Sequence, residues 1–329
     1  MINFGLIGCG YWGPNYLRVI KENNACSLKY CCDVNPEALI PPAAKYNVKT
    51  TLDYADVLND KKIDAVVIST PAAAHYTIVK EALFAGKDVL VEKPMTVSSK
   101  EALELVKIAE KKGRILMVGH IFKFNPGINK IKKLIETEKL GKILYANSLR
   151  TGLGPVRCDV NALWDLGSHD ISIFLYLFDK KPISIIAEGC CFLQDGIEDI
   201  TSMSIHFEDD VIANTYLSWV EPCKTRKLTI IGDKKAVYFD CTSADSISIL
   251  NKFAVSREAS KKQLTNEALL VQRFRPVEPL KEEFKHFLNC VKERSNPISN
   301  GLDGYNVVKV MEAAQRSLKN GGMRIKINS

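Results

Sequence analysis

The sequence predicts an α/β domain followed by an α+β domain that carries a large, mainly antiparallel open sheet. Three observations support this fold class. The chain has 329 residues, more than one hydrophobic core usually spans, so two domains are expected. Residues 1–120 alternate short apolar runs with helical patterns. After Gly119 the chain changes to longer strand-like runs that are bounded by turn residues.

The first domain, residues 1–120, is predicted to hold a parallel sheet with helices on both faces, because its strand-like runs are apolar throughout. We expect strands at residues 2–7, 28–32, 65–69, 89–91 and 115–118, and helices at 15–22, 76–85 and 101–111. Ser98 and Glu101 form a capping box for the last helix, which Gly113 ends. Pro41 and Pro42 are expected to delay or break the helix after the second strand.

The second domain, residues 121–329, is predicted to be built around the antiparallel sheet. We expect strands at 143–150, 183–193, 200–207, 211–220, 227–231, 236–240 and 246–250, helices at 126–139, 168–178, 280–293 and 305–318, and a short last strand. Asp209-Asp210 and Gly232-Asp233-Lys234 are typical of hairpin turns. Residues 256–267 are polar and predict an exposed loop. A broad sheet with an exposed face needs covering, so a homodimer or homotetramer is expected.

Composition excludes several classes of protein. The mean hydropathy is −0.05 and the longest apolar runs are only strand-sized, which excludes a membrane span. The first residues resemble a strand and not a signal peptide, so a cytoplasmic protein is expected. The ten cysteines lack metal-ligand spacing, which predicts reduced, buried thiols and no metal site. The net charge of +7 suits an anionic small-molecule ligand. The basic residues of the chain are not interleaved with aromatic residues, as nucleic-acid binding requires, so no nucleic-acid partner is expected.

A glycine-rich segment follows the first predicted strand. Gly8, Gly10 and Gly13 form a G-x-G-x-x-G motif immediately before a helix. The first glycine permits a tight turn, the second lets the backbone approach a pyrophosphate, and the third lets helix and strand pack closely. The helix N-terminus then supplies N–H donors to the phosphates. The segment predicts a Rossmann domain that binds a dinucleotide.

Asp33 ends the second predicted strand. A carboxylate at this position accepts hydrogen bonds from the adenosine ribose and repels a 2′-phosphate. NAD is therefore expected in preference to NADP. The alternative is a glycine-rich turn of an unrelated α/β fold, in which Asp33 is a surface residue.

Four further segments follow along the chain: Ser69-Thr70-Pro71 with His75, Glu92-Lys93-Pro94, Gly119-His120, and Asp165-Leu166-Gly167-Ser168-His169-Asp170. In their order and separation they resemble the Gfo/Idh/MocA family of oxidoreductases, which includes glucose–fructose oxidoreductase and inositol dehydrogenase. The resemblance covers essentially the whole chain. Residues 10–15, residues 153–161 leading to Trp164-Asp165, and Ser218-Trp219 are similar to one branch of the family, the UDP-N-acetylglucosamine and UDP-N-acetylglucosaminuronate 3-dehydrogenases.

Three residues are candidates for catalysis. Oxidation of a secondary alcohol transfers a hydride to nicotinamide and a proton to a base. Lys93 ends a parallel strand at the carboxyl edge of the sheet, where its ammonium can stabilise a developing alkoxide, and the resemblance implies a cis peptide at Pro94. His169 is the favoured proton acceptor over Lys93, because its ordinary pKa lies near neutrality. Asp165 precedes His169 by one helical turn and can orient the substrate or Lys93.

Each of these residues also has a structural interpretation. A lysine before proline is often only the end of a strand, and Asp165 or Ser168 can be the N-cap of the following helix.

The resemblance implies further contacts. The cofactor is expected to be bound by Gly8, Gly10, Tyr11, Trp12, Gly13, Asp33, Ser69, Thr70, Pro71, His75, Glu92 and Lys93. The substrate is expected to be bound by Lys93, His120, Lys123, Asn125, Arg157, Asn161, Asp165 and His169. Many relatives carry arginine where this chain has Lys123 or Phe124, so the chain departs from the family pattern there.

The sequence thus predicts an NAD-dependent dehydrogenase of a ring hydroxyl, at C3, of a nucleotide-linked sugar in amino-sugar or surface-glycan biosynthesis. A cyclitol or free-sugar dehydrogenase is the first alternative. A regulator that senses NAD or sugar without turnover is the second, and the joint presence of Lys93, Asp165 and His169 argues against it.

Overall fold

The computed structural model describes residues 1–242, 245–250 and 269–327. These form two compact units, Met1–Phe124 with Glu278–Val308 and Asn125–Val277 with Lys309–Ser329. The polar stretch 256–267, predicted to be an exposed loop, lies outside the described residues. None of the described helices is long and apolar enough to cross a membrane.

The strands are Ile2–Ile7 (β1), Cys26–Cys32 (β2), Lys49–Thr51 (β3), Ala65–Ile68 (β4), Asp88–Val91 (β5), Leu116–Val118 (β6), Ile143–Thr151 (β7), Pro182–Cys190 (β8), Ile200–Phe207 (β9), Ile212–Ser218 (β10), Thr225–Gly232 (β11), Ala236–Asp240 (β12), Ser246–Leu250 (β13), Leu269–Arg273 (β14) and Ile325–Lys326 (β15). The helices are Gly13–Lys21 (α1), Ile40–Tyr46 (α2), Tyr54–Asn59 (α3), Ala72–Phe84 (α4), Ser99–Lys112 (α5), Pro126–Glu136 (α6), Ser168–Phe178 (α7), Pro279–Glu293 (α8) and Gly301–Lys319 (α9).

The first unit contains a parallel sheet in the order β3-β2-β1-β4-β5-β6. Its central strands β1, β4 and β5 are almost wholly buried, as expected for a sheet with helices on both faces. The strand order reverses between β1 and β4, and in folds of this kind ligands bind outside the carboxyl ends of the strands at that point. The predicted Rossmann topology is confirmed.

The local predictions for this unit had mixed outcomes. The α-helix after β2 begins only at Ile40, after a 3-10 turn at Pro36–Leu39. Pro41 and Pro42 lie in its first turn and do not break it, because the first turn of a helix leaves its N–H groups unpaired and a proline has none to lose. The short elements β3 and α3 were not predicted. Helix α5 ends at Gly113 in the left-handed conformation as predicted, but the Ser98 side chain makes no capping hydrogen bond.

Helix α8 belongs to the first unit, whereas the sequence placed it in a second domain that began at residue 121. Phe284 and Phe287 of α8 lie against Phe4 of β1, with ring centroids 5.2 and 6.0 Å apart. All three rings are fully buried in one hydrophobic core. Burial of this aromatic surface brings the chain back to the first unit at α8. The boundary between the two units therefore cannot be drawn at a single point in the sequence.

The second unit contains a sheet in the order β14-β13-β12-β11-β7-β10-β9-β8-β15. Strands β7 and β10 pair in parallel and the other neighbours are antiparallel, so the predicted, mainly antiparallel sheet is confirmed. Helix α6 packs tightly on it, since a Cβ on Gly127 would lie 2.4 Å from the ring of Phe239. Tyr145 and Leu149 of β7 are exposed, which leaves the strand open on one side.

The ten cysteines are all free. The prediction that all of them are buried was wrong. Cys158, Cys191 and Cys223 are exposed because they lie in loops, and Cys190 is exposed at the end of β8.

Candidate active site

The loop between β1 and α1 carries three glycines with different geometric roles. Gly8 has a φ of +95°, and a Cβ there would lie 2.6 Å from the carbonyl carbon of Ser69. A Cβ on Gly13 would lie 2.4 Å from the carbonyl oxygen of Gly8, so the absence of a side chain lets α1 begin against the end of β1. A Cβ on Gly10 would meet no heavy atom within 4 Å. The space beside Gly10 is therefore open to a ligand such as a pyrophosphate.

Asp33 is held beside this loop. Its Oδ2 accepts a hydrogen bond of 2.6 Å from the backbone N–H of Cys9, and its Oδ1 accepts one of 2.9 Å from that of Asn35. Both bonds fix the carboxylate at the end of β2, next to the glycine loop. This is the position from which a carboxylate reaches the ribose hydroxyls of a dinucleotide.

Ser69, Thr70 and Pro71 form the turn from β4 into α4. The Ser69 hydroxyl donates to the carbonyl of Gly8 at 2.8 Å, which ties the turn to the glycine loop. The Thr70 hydroxyl is buried, and within the described residues it has no hydrogen-bond partner. Pro71 is the N-cap residue of α4. A buried, unpaired hydroxyl at the carboxyl end of a central strand is suited to a polar ligand.

His75 connects that turn to the segment around Lys93. It lies in the first turn of α4 and is buried, with Nδ1 2.8 Å from the Pro94 carbonyl oxygen and Nε2 2.8 Å from the Thr70 carbonyl oxygen. Burial lowers its pKa. A neutral imidazole has a single N–H, so His75 donates a hydrogen bond to only one of these two carbonyl oxygens.

Lys93 lies two residues beyond the end of β5, at the carboxyl edge of the parallel sheet. The peptide bond between Lys93 and Pro94 is cis, as the resemblance implied. The Glu92 carboxylate accepts a 3.1 Å hydrogen bond from the Lys93 backbone N–H and a 2.8 Å bond from the Tyr16 hydroxyl. These bonds fix the backbone from which the Lys93 side chain starts.

His120 and Lys123 lie in the same unit and share a partner, Asp303 of α9, that the sequence did not indicate. Lys123 is buried and forms an ion pair with Asp303, and His120 Nε2 lies 3.8 Å from Asp303 Oδ2. Neither ring nitrogen of His120 has a hydrogen-bond partner within the described residues. Burial lowers the pKa of His120 to about 4, and the charges of Lys123 and Lys93 act in the same direction. His120 is neutral at physiological pH.

Asp165 and His169 belong to the second unit, on one continuous helical stretch. Residues Leu163–Gly167 form a π-helical turn, a feature common at functional sites, that runs directly into α7. Asp165 Oδ2 accepts a 3.1 Å hydrogen bond from the Trp219 indole, and its Oδ1 lies 3.7 Å from Arg157 Nη1. Asp165 is therefore an oriented, ion-paired carboxylate.

Neither Asp165 nor Ser168 is the N-cap that the structural alternative required. Asn161 caps the start of this helical stretch: its side-chain oxygen accepts a 3.1 Å hydrogen bond from the backbone N–H of Trp164. Ser168 lies within the helical stretch and follows Gly167.

The other predicted substrate residues of the second unit are held by protein groups. Asn125 caps α6 by accepting a 2.8 Å bond from the Gly127 N–H. The Asn161 amide donates to Glu198 and to Gln315. Arg157 forms a two-pronged ion pair with Asp159 and remains partly exposed. Asn125 and Asn161 are buried, so Arg157 is the residue of these three whose side chain remains partly exposed to solvent.

Arg150 and Asp170 form a buried ion pair that sequence reasoning missed. Arg150 Nε and Nη2 donate to the two oxygens of Asp170 at 2.9 and 2.8 Å, and both side chains are buried. Asp170 directly follows His169, so the pair fixes the start of α7 to β7. The one hint of this pair in the sequence was the position of Asp170 next to His169. Arg150 is 20 residues from Asp170, so no local pattern links the two.

The residues of the first unit fit a bound dinucleotide. The open space beside Gly10, the fixed carboxylate of Asp33 and the unpaired Thr70 hydroxyl lie at the carboxyl ends of neighbouring strands β1, β2 and β4. In the part of the chain that the structure describes, no three or more His, Cys, Asp or Glu side chains come together as a metal site.

Comparison with known proteins agrees with this geometry. Residues 2–120 match the family described as an oxidoreductase family with an NAD-binding Rossmann fold, and residues 128–238 match the Gfo/Idh/MocA C-terminal domain. The chain belongs to the Gfo/Idh/MocA family of oxidoreductases. Its first unit contains the NAD-binding Rossmann fold of that family, and NAD is its cofactor.

Relatives of this Gfo/Idh/MocA oxidoreductase include sugar and cyclitol dehydrogenases. The UDP-N-acetylglucosamine 3-dehydrogenase of Acidithiobacillus ferrooxidans is 24% identical over 92% of this chain and 93% of that protein. The scyllo-inositol 2-dehydrogenase (NAD(+)) of Bacillus subtilis is 26% identical over 83% of this chain and 80% of that protein. A solved structure of UDP-N-acetylglucosamine 3-dehydrogenase GnnA from Acidithiobacillus ferrooxidans shares the fold, with a TM-score of 0.84 at 21% identity over 97% of this chain and 98% of that chain.

Proposed function

We propose that this oxidoreductase uses NAD to oxidise a ring hydroxyl, at C3, of a nucleotide-linked sugar such as UDP-N-acetylglucosamine or its uronic acid, for amino-sugar or surface-glycan biosynthesis. One combination of features in this chain carries the proposal. The predicted NAD-binding residues of the first unit extend to Lys93, and an oriented Asp165 lies four residues before His169. Hydroxyl oxidation requires a cation for the reacting oxygen and a base for its proton.

Each residue has a distinct role in the proposed reaction. Gly8, Gly10, Gly13 and Asp33 would hold NAD, which when bound would supply the acceptor for the hydride of the sugar carbon. The Lys93 ammonium donates a hydrogen bond to the reacting oxygen and stabilises its developing negative charge. His169 accepts the hydroxyl proton. Asp165, held by Trp219 and Arg157, orients the substrate.

The choice of a nucleotide-linked sugar is supported by the full-length similarity to UDP-N-acetylglucosamine 3-dehydrogenase. A cyclitol substrate is the second candidate, since inositol dehydrogenases match this chain at comparable identity, 26% and 23%. NAD reduction assayed with UDP-N-acetylglucosamine, UDP-N-acetylglucosaminuronate and myo-inositol separates the two. Turnover of a nucleotide sugar is expected, and turnover of myo-inositol alone would exclude the first candidate.

The Lys93→Ala variant tests whether the protein is an enzyme or a sensor. Loss of the ammonium should lower kcat roughly 10²- to 10³-fold, because a charge-stabilising donor is removed, while NADH still binds in a fluorescence titration. Lys100→Ala, at an exposed lysine of α5, is the matched control and should keep wild-type kcat. NAD reduction at the wild-type rate in Lys93→Ala would remove the catalytic role of Lys93.

We also infer that the enzyme acts in the cytoplasm, where NAD and nucleotide sugars are both present, and that it works as a homodimer or homotetramer. Support for self-association comes from β7, a central strand of the nine-stranded sheet, which leaves Tyr145 and Leu149 exposed. A second copy of this chain is the proposed occupant of that face.

A further inference from the structure

One tyrosine hydroxyl in the first unit lies between two carboxyl groups. The Oη atom of Tyr16, on α1, is 2.8 Å from Oε1 of Glu92 and 3.0 Å from Oε1 of Glu283, on α8. Tyr16 and Glu283 are fully buried, whereas Glu92, just beyond β5, is only partly buried. The three groups form a chain from the core of the unit to the segment that carries Lys93.

The number of protons available limits which of these groups can be ionised together. A tyrosine hydroxyl has one proton and can donate to only one carboxyl group at a time. If both glutamates were ionised, one would face the tyrosine oxygen with no proton between them. The second oxygen of Glu283 has no hydrogen-bond partner within the described residues, so an ionised Glu283 would be a buried charge almost without compensation.

The surroundings place the extra proton on Glu283. Burial and the charge of Glu92 raise the pKa of Glu283 well above its usual range, and the hydrogen bond from Tyr16 does not offset them. Burial also raises the pKa of Glu92, but the Lys93 charge, the Tyr16 hydroxyl and the Lys93 backbone N–H all favour its ionised form. Glu283 can then donate to Tyr16, and Tyr16 to an ionised Glu92.

Gly119 leaves room for this arrangement. It follows β6, the neighbour of β5, and a Cβ at this position would lie 3.1 Å from the Tyr16 oxygen and 3.2 Å from Glu92 Oε1. These distances are tighter than ordinary van der Waals contact. The strand end next to Lys93 is therefore shaped around the hydrogen bond between Tyr16 and Glu92.

We propose that Glu283 is a protonated positioning residue that acts through Tyr16 to hold the Glu92 carboxylate against the Lys93 backbone N–H and thereby fixes the direction of Lys93. The chain Glu283–Tyr16–Glu92 ends on the 3.1 Å bond from the Lys93 N–H. Glu283 lies 190 residues from Lys93 in sequence and reaches it only because α8 folds back onto β1. The importance of Lys93 itself rests on the proposed function, whereas the protonation of Glu283 does not.

The first experiment determines the protonation state without any turnover. At neutral pH, infrared difference spectra of the full-length wild type against Glu283→Gln should show the carbonyl stretch of a protonated carboxyl group, lost in the variant. Glu293→Gln, at an exposed glutamate of the same helix, should keep that band. The absence of a wild-type band that disappears specifically in Glu283→Gln would overturn the proposal.

A pH series of thermal unfolding provides a second measurement of the same proton. A carboxyl whose pKa is raised in the folded state stabilises the protein fully below its unfolded pKa, and that stability is lost as pH rises toward the folded value. The wild type and Glu293→Gln should therefore lose more Tm between pH 5 and pH 8 than Glu283→Gln does. Identical slopes in the three proteins would contradict a protonated Glu283.

The positioning role is tested by hydrogen exchange at the Lys93 amide. Tyr16→Phe and Glu283→Leu both break the chain, so the peptide that contains Lys93 should exchange about tenfold faster, while Glu283→Gln, which restores a donor, should exchange like the wild type. A merely structural role would lower Tm in Tyr16→Phe and leave this amide protected, which would overturn the proposal.

Kinetics links the arrangement to the reaction. In Tyr16→Phe and Glu283→Leu we expect kcat to fall about tenfold with little change in the KM for NAD, and Glu283→Gln should recover most of the loss. Unchanged kcat in a folded Tyr16→Phe contradicts the role of the chain in positioning Lys93. If the wild type turned over none of the sugars, the proposed function would fail, and the infrared and exchange results would still decide this inference.

Discussion

His120 is a neutral, buried imidazole in a site whose other nearby groups are charged. It is 2% exposed and lies near Asp303, Lys123 and Lys93. Its pKa of about 4 lies well below the ordinary value of 6.5. The unfolded chain therefore binds a proton before the folded protein does as the pH falls. The histidine contributes stability that is present above its unfolded pKa and is lost on acidification.

This behaviour predicts a specific acid sensitivity. Between pH 7 and pH 4 the wild type should lose about 3 kcal/mol more unfolding free energy than His120→Gln, because the variant has no imidazole to protonate on unfolding. Urea unfolding at a series of pH values measures the difference. His206→Gln, at a partly exposed histidine of β9, should change the pH dependence less. Parallel pH curves for the wild type and His120→Gln would exclude a depressed pKa at His120.

Gly10 and Gly13 lie three residues apart and predict opposite outcomes of the same substitution. Gly10→Ala should leave the Tm of the cofactor-free protein nearly unchanged and weaken NADH binding at least tenfold, because the new Cβ occupies open space that the pyrophosphate needs. Gly13→Ala should destabilise the cofactor-free protein by roughly 1–3 kcal/mol, since its Cβ meets the rigid backbone of Gly8. Thermal unfolding without ligand and a fluorescence titration with NADH distinguish them. A large loss of Tm in Gly10→Ala would show that its surroundings are not open.

At the scale of elements, helix α7 depends on the buried pair of Arg150 and Asp170. The pair joins the first turn of α7 to β7, and Thr215 of β10 donates a further 3.3 Å hydrogen bond to the Asp170 carboxylate. Since His169 is the neighbour of Asp170, the same anchor sets the position of the proposed base. Removal of one partner leaves the other as an uncompensated buried charge.

Asp170→Asn should therefore lower the unfolding free energy by about 3–5 kcal/mol, as measured by urea denaturation. The control is Asp209→Asn, which removes the acidic partner of an exposed ion pair with Lys180 and should have little effect. Asp209 has a φ of +58°, a conformation that asparagine tolerates, so the control adds no backbone strain. Equal, small effects of the two substitutions would show that the buried pair does not anchor α7.

Helices and strands were predicted well where the sequence pattern that marks them lies within the element itself and the turns beside it. Helix α7 and strands β1, β9, β12 and β13 have the predicted bounds, because their apolar periodicity and flanking turn residues lie within a few positions of one another. Strand β3 and helix α3 were missed, since three and six residues are too short to establish a period. The bounds of α2 show that the position of a proline within a helix, and not its presence, decides its effect.

At the scale of the whole molecule, the sheet of the second unit predicts self-association. Leu149 is 42% exposed near the middle of the sheet, an unusual position for a large apolar side chain of a monomer. Leu149→Glu should shift the protein toward the monomer in multi-angle light scattering, because a charge would be desolvated at the proposed interface. Leu52→Glu is the matched control at an exposed leucine of the first unit and should leave the molar mass unchanged. A wild-type monomer at micromolar concentration would contradict the proposed oligomer.

The sequence by itself determined the dinucleotide cradle and the class of fold. Gly8, Gly10, Gly13 and Asp33 act through backbone conformation and strand ends, which depend on residues near them in the chain. The resemblance pointed to Lys93, Asp165 and His169 in the same way, because short motifs keep their spacing. Their roles in the reaction stay predictions.

Only the tertiary structure decided which distant residues support these motifs. Sequence periodicity predicts that α8 is a helix with a buried face, but not that Glu283 on that face meets Tyr16, 267 positions away. Asp303 beside Lys123 and Arg150 beside Asp170 were hidden for the same reason. A buried polar group must find a partner wherever the chain packing brings one, and hydrophobic burial, which is not directional, decides that packing.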